Sequence, residues 1–277
     1  MNIGKYVEIY SKDLELKNYS KNTIENYKSQ VYSFLKYFEN VATKPSEISE
    51  AKIKTWLLEA KTINTRKHRI SAVKLFYKYT GKQPLKFKHI EYPKSDKKLP
   101  VVLSQEEVQK MFVVCENLKH KVILALLYSC GLRVSELINL KWINIDRSRM
   151  IINIVAGKGN KDRQVMLDSS LIPLLSKYYR EYKTVEYILA GQFSEQYSSR
   201  SVGQVMKQLA LKANLNKRVY THLMRHNCFT HMVENGTDIN LIQRLAGHSN
   251  VKTTLMYTHI SHNLISKIQS PISQIKI

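Results

Sequence analysis

The chain has 277 residues, long enough to bury a substantial core and to form two domains. Lys and Arg total 44 against 22 Asp and Glu, a net charge of +22, while 43% of residues are hydrophobic. That excess calls for a polyanionic partner, nucleic acid ahead of an anionic membrane, and the apolar content argues against a disordered basic tail. No apolar run approaches the ~20 residues of a membrane span, and the N-terminus lacks an apolar signal core. Cys115, Cys130 and Cys228 are odd in number and widely spaced, which speaks against a disulfide framework or a thiolate zinc site. The chain reads as a reduced, cytoplasmic protein with no membrane partner.

Residues 1–91 read as short helices. Ser20 caps a helix whose Ile24, Tyr27, Val31, Phe34, Leu35 and Phe38 recur at three- and four-residue steps. "KPSEIS" interrupts the pattern, and Ile53, Trp56 and Leu57 begin another stripe. A fourth helix, "TRKHRISAVKLFYKYTG", turns Ile70, Val73 and Phe76 inward and ends at Gly81. Its Arg66, Lys67, Arg69 and Lys74 lie largely off that stripe, where they either track phosphates or keep the helix solvated.

Residues 92–103, "YPKSDKKLPVVL", hold two prolines and three lysines and read as a linker. Residues 1–92 carry 18 basic and 9 acidic side chains, and residues 93–277 carry 26 and 13. Both halves are basic, which suits two domains closing on a duplex from opposite sides. The second half begins with helices ("SQEEVQKMFVVC", "HKVILALLYSCG", "VSELINLKW"). "MIINIVAGKGNKDRQVML" then predicts two strands around a Gly-rich turn, and helices resume from Leu171. The fold class is mainly α with a small β-hairpin.

Four segments can carry chemistry. "CGLRVSEL" places Arg133 beyond an apolar helix ended by Gly131, where a guanidinium needs an anion or a local pair with Glu136. "VAGKGNKDR" sets Lys158 at a hairpin tip, free to enter a groove or simply solvated, and without Walker spacing. "THLMRHNCFTH" puts His222 and Arg225 on one helical face; His222 and His226 also have a metal-like spacing, without a third ligand. In "GHSNVKTTLMYTHIS", Gly247 ends one helix and Ser249 caps the next. If Val251 and Leu255 define the buried stripe there, Tyr257 lies roughly 140° away and faces a cleft.

Tyr257 is one of 17 tyrosines, and a phenol with a pKa near ~10 is a poor nucleophile unaided. The other parts supply what it lacks. Attack on a DNA phosphodiester builds negative charge that Arg133 and Arg225 can hold by forked hydrogen bonds. His222 can take the phenol proton, Lys158 can protonate the departing sugar oxygen, and His248 can steady the phosphoryl group. No metal or other cofactor is required, and the scarcity of clustered carboxylates counts against a two-metal nuclease.

"GLRVSEL", "GKGNKDR", "HLMRH" and "LAGHSNVKTTLMYTH", in this order and spacing, resemble the catalytic domain of the tyrosine recombinases, especially the Xer type and related integrases. The resemblance is close over the second half and rests on helical layout and basic character in the first. It implies a two-domain C-shaped clamp: a SAM-like core-binding domain (1–91), the linker (92–103) and a catalytic domain (104–277) with a C-terminal tail (264–277). It implies that Arg133 and Arg225 clamp the phosphate, with Lys158, His222 and His248 as further catalytic residues. Glu136 supports them and Tyr257 is the nucleophile. It further implies a 3′-phosphotyrosyl intermediate, strand exchange in pairs through a Holliday junction, double-stranded DNA with inverted repeats as partner, and a homotetramer or a heteromeric pair. Type IB topoisomerase-like nicking-closing and DNA binding without catalysis are the competing readings. The apolar residues of the tail, Leu264, Ile265, Ile268, Ile272, Ile275 and Ile277, suggest docking on its own domain or exchange between protomers.

Overall fold

The first four helices each begin at a side chain suited to hold free amides. α1 (Ile3–Leu16), α2 (Lys21–Tyr37), α3 (Glu50–Leu58) and α4 (Ile63–Tyr79) follow Asn2, Ser20, Ser49 and Thr62, whose side-chain oxygens accept from the amides of Lys5, Thr23, Lys52 and Thr65. Each such cap stabilises by about 1 kcal/mol. The computed structural model describes residues 1–94, 101–155, 162–192 and 194–260, with side chains to 258. The chain forms two compact units, Met1–Lys97 and Lys98–Ile277.

The first unit is helical throughout its described elements. The predicted stripe of α2 is buried at Ile24, Val31, Phe34, Leu35 and Phe38, with Tyr27 packed at its edge. Phe34 meets Trp56 edge-on at 5.1 Å and Tyr77 at 6.1 Å, so α2, α3 and α4 share one aromatic core. Tyr10 and Tyr77 sit in this core because each hydroxyl finds a backbone acceptor, Ala72 and Pro45, both at 2.8 Å. The last helical residue of α4 is Tyr79, and the Gly81 amide closes back on the Phe76 carbonyl at 2.8 Å.

In the second unit, α5 (Gln105–Val113), α6 (Leu118–Cys130) and α7 (Val134–Ile138) precede the sheet, and α8 (Leu171–Tyr182) follows it. α9 (Ser199–Lys212), α10 (Thr221–Glu234), α11 (Ile239–Ala246) and α12 (Val251–Ile260) complete the described helices. α6 is buried from Val122 to Leu127 and packs along α10, whose residues from Leu223 to His231 are all buried. A helix without a wet face is a central one.

Three strands form the sheet where the sequence predicts two. β1 (Ile145–Asp146), β2 (Ile151–Ile154) and β3 (Arg163–Met166) are antiparallel in that order, with Ile152 opposite Val165 and Ile154 opposite Arg163. The added strand is two residues long and carries no periodicity of its own. Residues 183–192 and 194–198 also depart from the expected helices; they run as irregular chain, with Tyr187 bridging to Lys141.

The proposed linker ends earlier than residue 103. Leu103 is fully buried; its amide donates to Asn227 Oδ1 at 3.1 Å, and its carbonyl meets His231 Nε2 at 2.9 Å. Those partners lie more than 120 positions away, so composition alone gives no sign of them.

Candidate active site

Two glycines at helix ends shape the site. Gly131 ends α6 at φ 57°, and a Cβ there would stand 2.6 Å from Phe229 Cζ. Gly247 ends α11 at φ 61°, and a Cβ there would stand 2.8 Å from Arg163 Cδ. Both positions combine a left-handed backbone with a close approach that excludes a side chain. The turns leave the last carbonyls of α6 and α11 facing the guanidiniums, with the partial negative charge of a helix C-terminus.

Arg225 Nη1 donates to the Gly131 carbonyl at 2.5 Å, and its Nη2 donates to the Ala246 carbonyl. Arg133 Nη2 reaches the same Ala246 oxygen at 3.2 Å. Glu136, 2% exposed in its side chain, accepts from Arg133 Nη1 at Oε1 and from the Arg133 amide at Oε2, both at 2.7 Å. The local pair with Glu136 read from the sequence is therefore present. A third guanidinium, Arg163, donates to Glu136 Oε2 at 2.7 Å and to the Leu245 carbonyl at 2.9 Å. "GKGNKDR" contains Arg163, but its partners lie 27 and 82 positions away and no local pattern distinguishes it.

Arg133 and Arg163 thus share one carboxylate, while Arg225 is held by backbone carbonyls beside them. Burial pushes Glu136 up, but Arg163 and then Arg133 hold it below the usual glutamate value. Burial and the neighbouring Arg133 and Arg163 bring Arg225 down to about 10. Arg163 is lowered by burial, with Glu136 opposing and Arg133 reinforcing the change. The cluster is cation-rich, and an incoming phosphate would supply the missing negative charge.

Tyr257 corrects an expectation. Val251 and Leu255 are about 40% exposed, at 40% and 39%, whereas Tyr257 is 1% exposed and Thr254 is fully buried. The inward stripe of α12 is therefore Thr254 and Tyr257, and the tyrosine joins a core of Cys228, Phe229, Val233, Ile242 and Ala246. The larger aromatic surface wins the interior, and the Thr254 hydroxyl is satisfied by His248 Nδ1 at 3.0 Å. Ser249 does not cap α12; Asn250 directly precedes it, and its side chain accepts from the Lys252 amide at 2.9 Å.

Two imidazoles flank the phenol ring, and a third stands behind one of them. His248 stacks on Tyr257 with centroids 6.1 Å apart and planes 17° from parallel; His226 lies 5.7 Å from it, and His222 stands 4.5 Å from His226. His222 is exposed while Arg225 is 1% exposed, so the face they share crosses from solvent to core. Burial, reinforced by neighbouring positive groups, holds both His226 and His248 down at about 4, so each is neutral at pH 7. Burial also raises Tyr257 to about 12, with Arg225 opposing. Sequence reasoning missed His226 as a Tyr257 neighbour because a partner 31 positions away leaves no local signal. Among the described residues no group of three His, Cys, Asp or Glu side chains could hold a metal.

The remaining sequence-predicted residues fall in the first unit or outside the described residues. Arg66 Nε donates to the Leu57 carbonyl at 3.2 Å and Arg69 Nη1 to the Trp56 carbonyl at 2.8 Å, both in the last turn of α3. Arg69 also lies over the Trp56 ring at 4.3 Å, and Lys74 is exposed with its amine 5.9 Å from the Tyr92 ring. Lys67 is partly buried on the same helix. Lys158 and the tail 264–277 lie outside the described residues.

The helical first unit, the arginine–glutamate cluster and the tyrosine packed behind it define a tyrosine recombinase. More particularly, the chain belongs to the phage integrase family, whose pattern matches residues 101–263, while the N-terminal SAM-like domain of phage integrases matches residues 7–83. Among similar proteins, tyrosine recombinase XerD of Oceanobacillus iheyensis is 31% identical over 266 residues, covering 87% of this chain and 89% of that protein. Tyrosine recombinase XerA of Pyrococcus horikoshii is 34% identical over 260 residues, covering 92% and 89%. Among solved structures, a XerA recombinase crystal structure aligns with TM-score 0.57 at 28% identity, over 96% of both chains. XerH bound to its difH substrate before cleavage aligns with TM-score 0.75 at 21% identity, over 98% of this chain and 85% of that one, a likeness of fold.

Proposed function

We propose that this chain is a site-specific DNA recombinase that cuts and rejoins strands through a 3′-phosphotyrosyl intermediate, with Tyr257 as nucleophile. The observation that carries the reading is the convergence of Arg133 and Arg225 on Ala246, with Tyr257 buried against the same helix end. The phenol oxygen attacks the scissile phosphorus, and the bond to the 5′-oxygen breaks. His222 takes the phenol proton, and Lys158 delivers one to the departing oxygen, leaving a 5′-hydroxyl. Arg133 and Arg225 hold the charge that develops on the non-bridging oxygens, His248 steadies the phosphoryl group, and Glu136 supports Arg133. Reversing the sequence with another 5′-hydroxyl rejoins the strand without a high-energy cofactor.

The same reading assigns residues 1–91 as a DNA-binding domain joined by a linker that begins at residue 92 to a catalytic domain that takes in Leu103 and extends to residue 277, acting in a reduced cytoplasm. Net charge +22 supports a duplex partner, as does the DNA bound to XerH in its structure. In the first domain, exposed Lys74 is the phosphate contact of choice, with Lys67 beside it; Arg66 and Arg69 contribute while holding the end of α3. Four protomers, two on each of two inverted-repeat sites, exchange strands in pairs through a Holliday junction.

A duplex with a nick beside the cleavage site tests the reading, because the short 5′-product diffuses away and traps the covalent complex. The wild type should become covalently attached at Tyr257. Tyr257→Phe should not, yet should bind nearly as tightly, since affinity comes mainly from distributed phosphate contacts. An adduct that persists in Tyr257→Phe would exclude this nucleophile, and no adduct with wild type on any cognate duplex would sink the cleavage reading.

A further inference from the structure

Arg163, the first residue of β3, closes the arginine cluster from the sheet side. Its side chain is 7% exposed, and both terminal nitrogens are engaged, Nη2 by Glu136 Oε2 and Nη1 by the Leu245 carbonyl. Its stem lies against Gly247, where a Cβ would intrude on Cδ. Glu136 Oε2 accepts from Arg163 on one side and from the Arg133 amide on the other, while Oε1 holds the Arg133 guanidinium. Successive carbonyls at the end of α11 are divided in the same way: Leu245 serves Arg163, and Ala246 serves Arg133 and Arg225.

This arrangement is a poor choice for stability alone. A third buried guanidinium beside two others adds repulsion, and a buried ion pair seldom outperforms apolar packing of similar volume. What a third planar fork supplies is direction: it fixes both the carboxylate and the helix end from which the other two arginines are aimed. We propose that Arg163 is a positioning residue for strand cleavage, locking Glu136 and the Leu245–Ala246 carbonyls so that Arg133 and Arg225 are set in advance for the scissile phosphate. The proposal rests on the phosphate-clamp reading of those two arginines.

Single-turnover cleavage of the nicked duplex tests it, with Arg163→Lys, which keeps the charge but loses the fork, and Arg163→Gln, which keeps hydrogen bonding without charge. Each should cleave about 10- to 100-fold more slowly while half-site affinity stays within about threefold. A second substrate carries a neutral methylphosphonate at the scissile position. With less charge to hold, the clamp matters less there, and the defect of both variants should shrink by about tenfold. Thermal unfolding identifies the variants that melt cooperatively, and one folded variant suffices for the comparison. The proposal is overturned if the folded variants cleave within about twofold of wild type, or if they lose the same factor on both substrates, which would mark general loosening. Wild-type protein that forms no adduct would remove the cleavage reading, and this proposal with it.

Discussion

Arg133 and Arg225, 92 positions apart, donate to one backbone oxygen, the carbonyl of Ala246. Two cations on one neutral acceptor repel each other; Glu136 offsets that repulsion by pairing directly with Arg133 and acts on Arg225 without a direct bond. The pair is held together by the protein and left short of negative charge. A phosphodiester would complete it.

Lys158→Ala should slow cleavage chiefly by removing protonation of the leaving oxygen. A substrate with a bridging 5′-phosphorothiolate has a leaving sulfur that needs little protonation, so it should restore much of the lost rate. Equal slowing on both substrates would recast Lys158 as a phosphate contact.

Acid should destabilise the second unit through His226 and His248. Both are held at about 4 in the folded chain, below the ordinary ~6.5 of an unfolded histidine. Between those values the unfolded state binds more protons, so stability is full above about pH 6.5 and falls as the pH drops toward 4. Urea midpoints measured across this range should decline with acidity, and His226→Gln, neutral throughout, should flatten the decline. A slope unchanged by that substitution would remove His226 from the account.

Gly247→Ala should cost about 1–2 kcal/mol from the left-handed backbone alone. Its Cβ would also displace the Arg163 stem, whose far end is pinned at two points. Slower covalent attachment should accompany the lower urea midpoint. A variant matching wild type in both would show that the turn relaxes without disturbing the cluster.

Removing residues 264–277 should weaken cooperative assembly on a full site and disturb the order of strand cleavage, while one protomer still binds its half-site. The tail follows the Tyr257 helix closely and is rich in isoleucine, so exchange between protomers would couple assembly to the tyrosine. Electrophoretic assembly and strand-resolved cleavage assays should register the change. Full recombination by the truncated chain would refute this coupling.

Much of this was legible in local pattern. Ser20 and Gly247 mark helix ends through short-range chemistry, and Arg133 beyond an apolar helix advertises its need for an anion. The buried orientation of Tyr257 was not legible, because α12 bears apolar residues on several faces and α10 and α11 choose between them. Arg163 was hidden for a similar reason: nothing near it in sequence indicates that Glu136 and Leu245 will surround it. Two-residue β1 exists through its pairing with Ile151 and Ile152 rather than through its own composition.

The double anchoring of Leu103 bears on how the molecule can be cut into parts. A fragment starting at Gln105 would begin at the first residue of α5, yet it would leave Asn227 Oδ1 and His231 Nε2 unpaired inside the helix that carries Arg225. Each orphaned group would cost about 1–3 kcal/mol. The serviceable border for dissecting the chain, or for grafting a different first unit onto the second, lies upstream of Val101 and carries Leu103 with it.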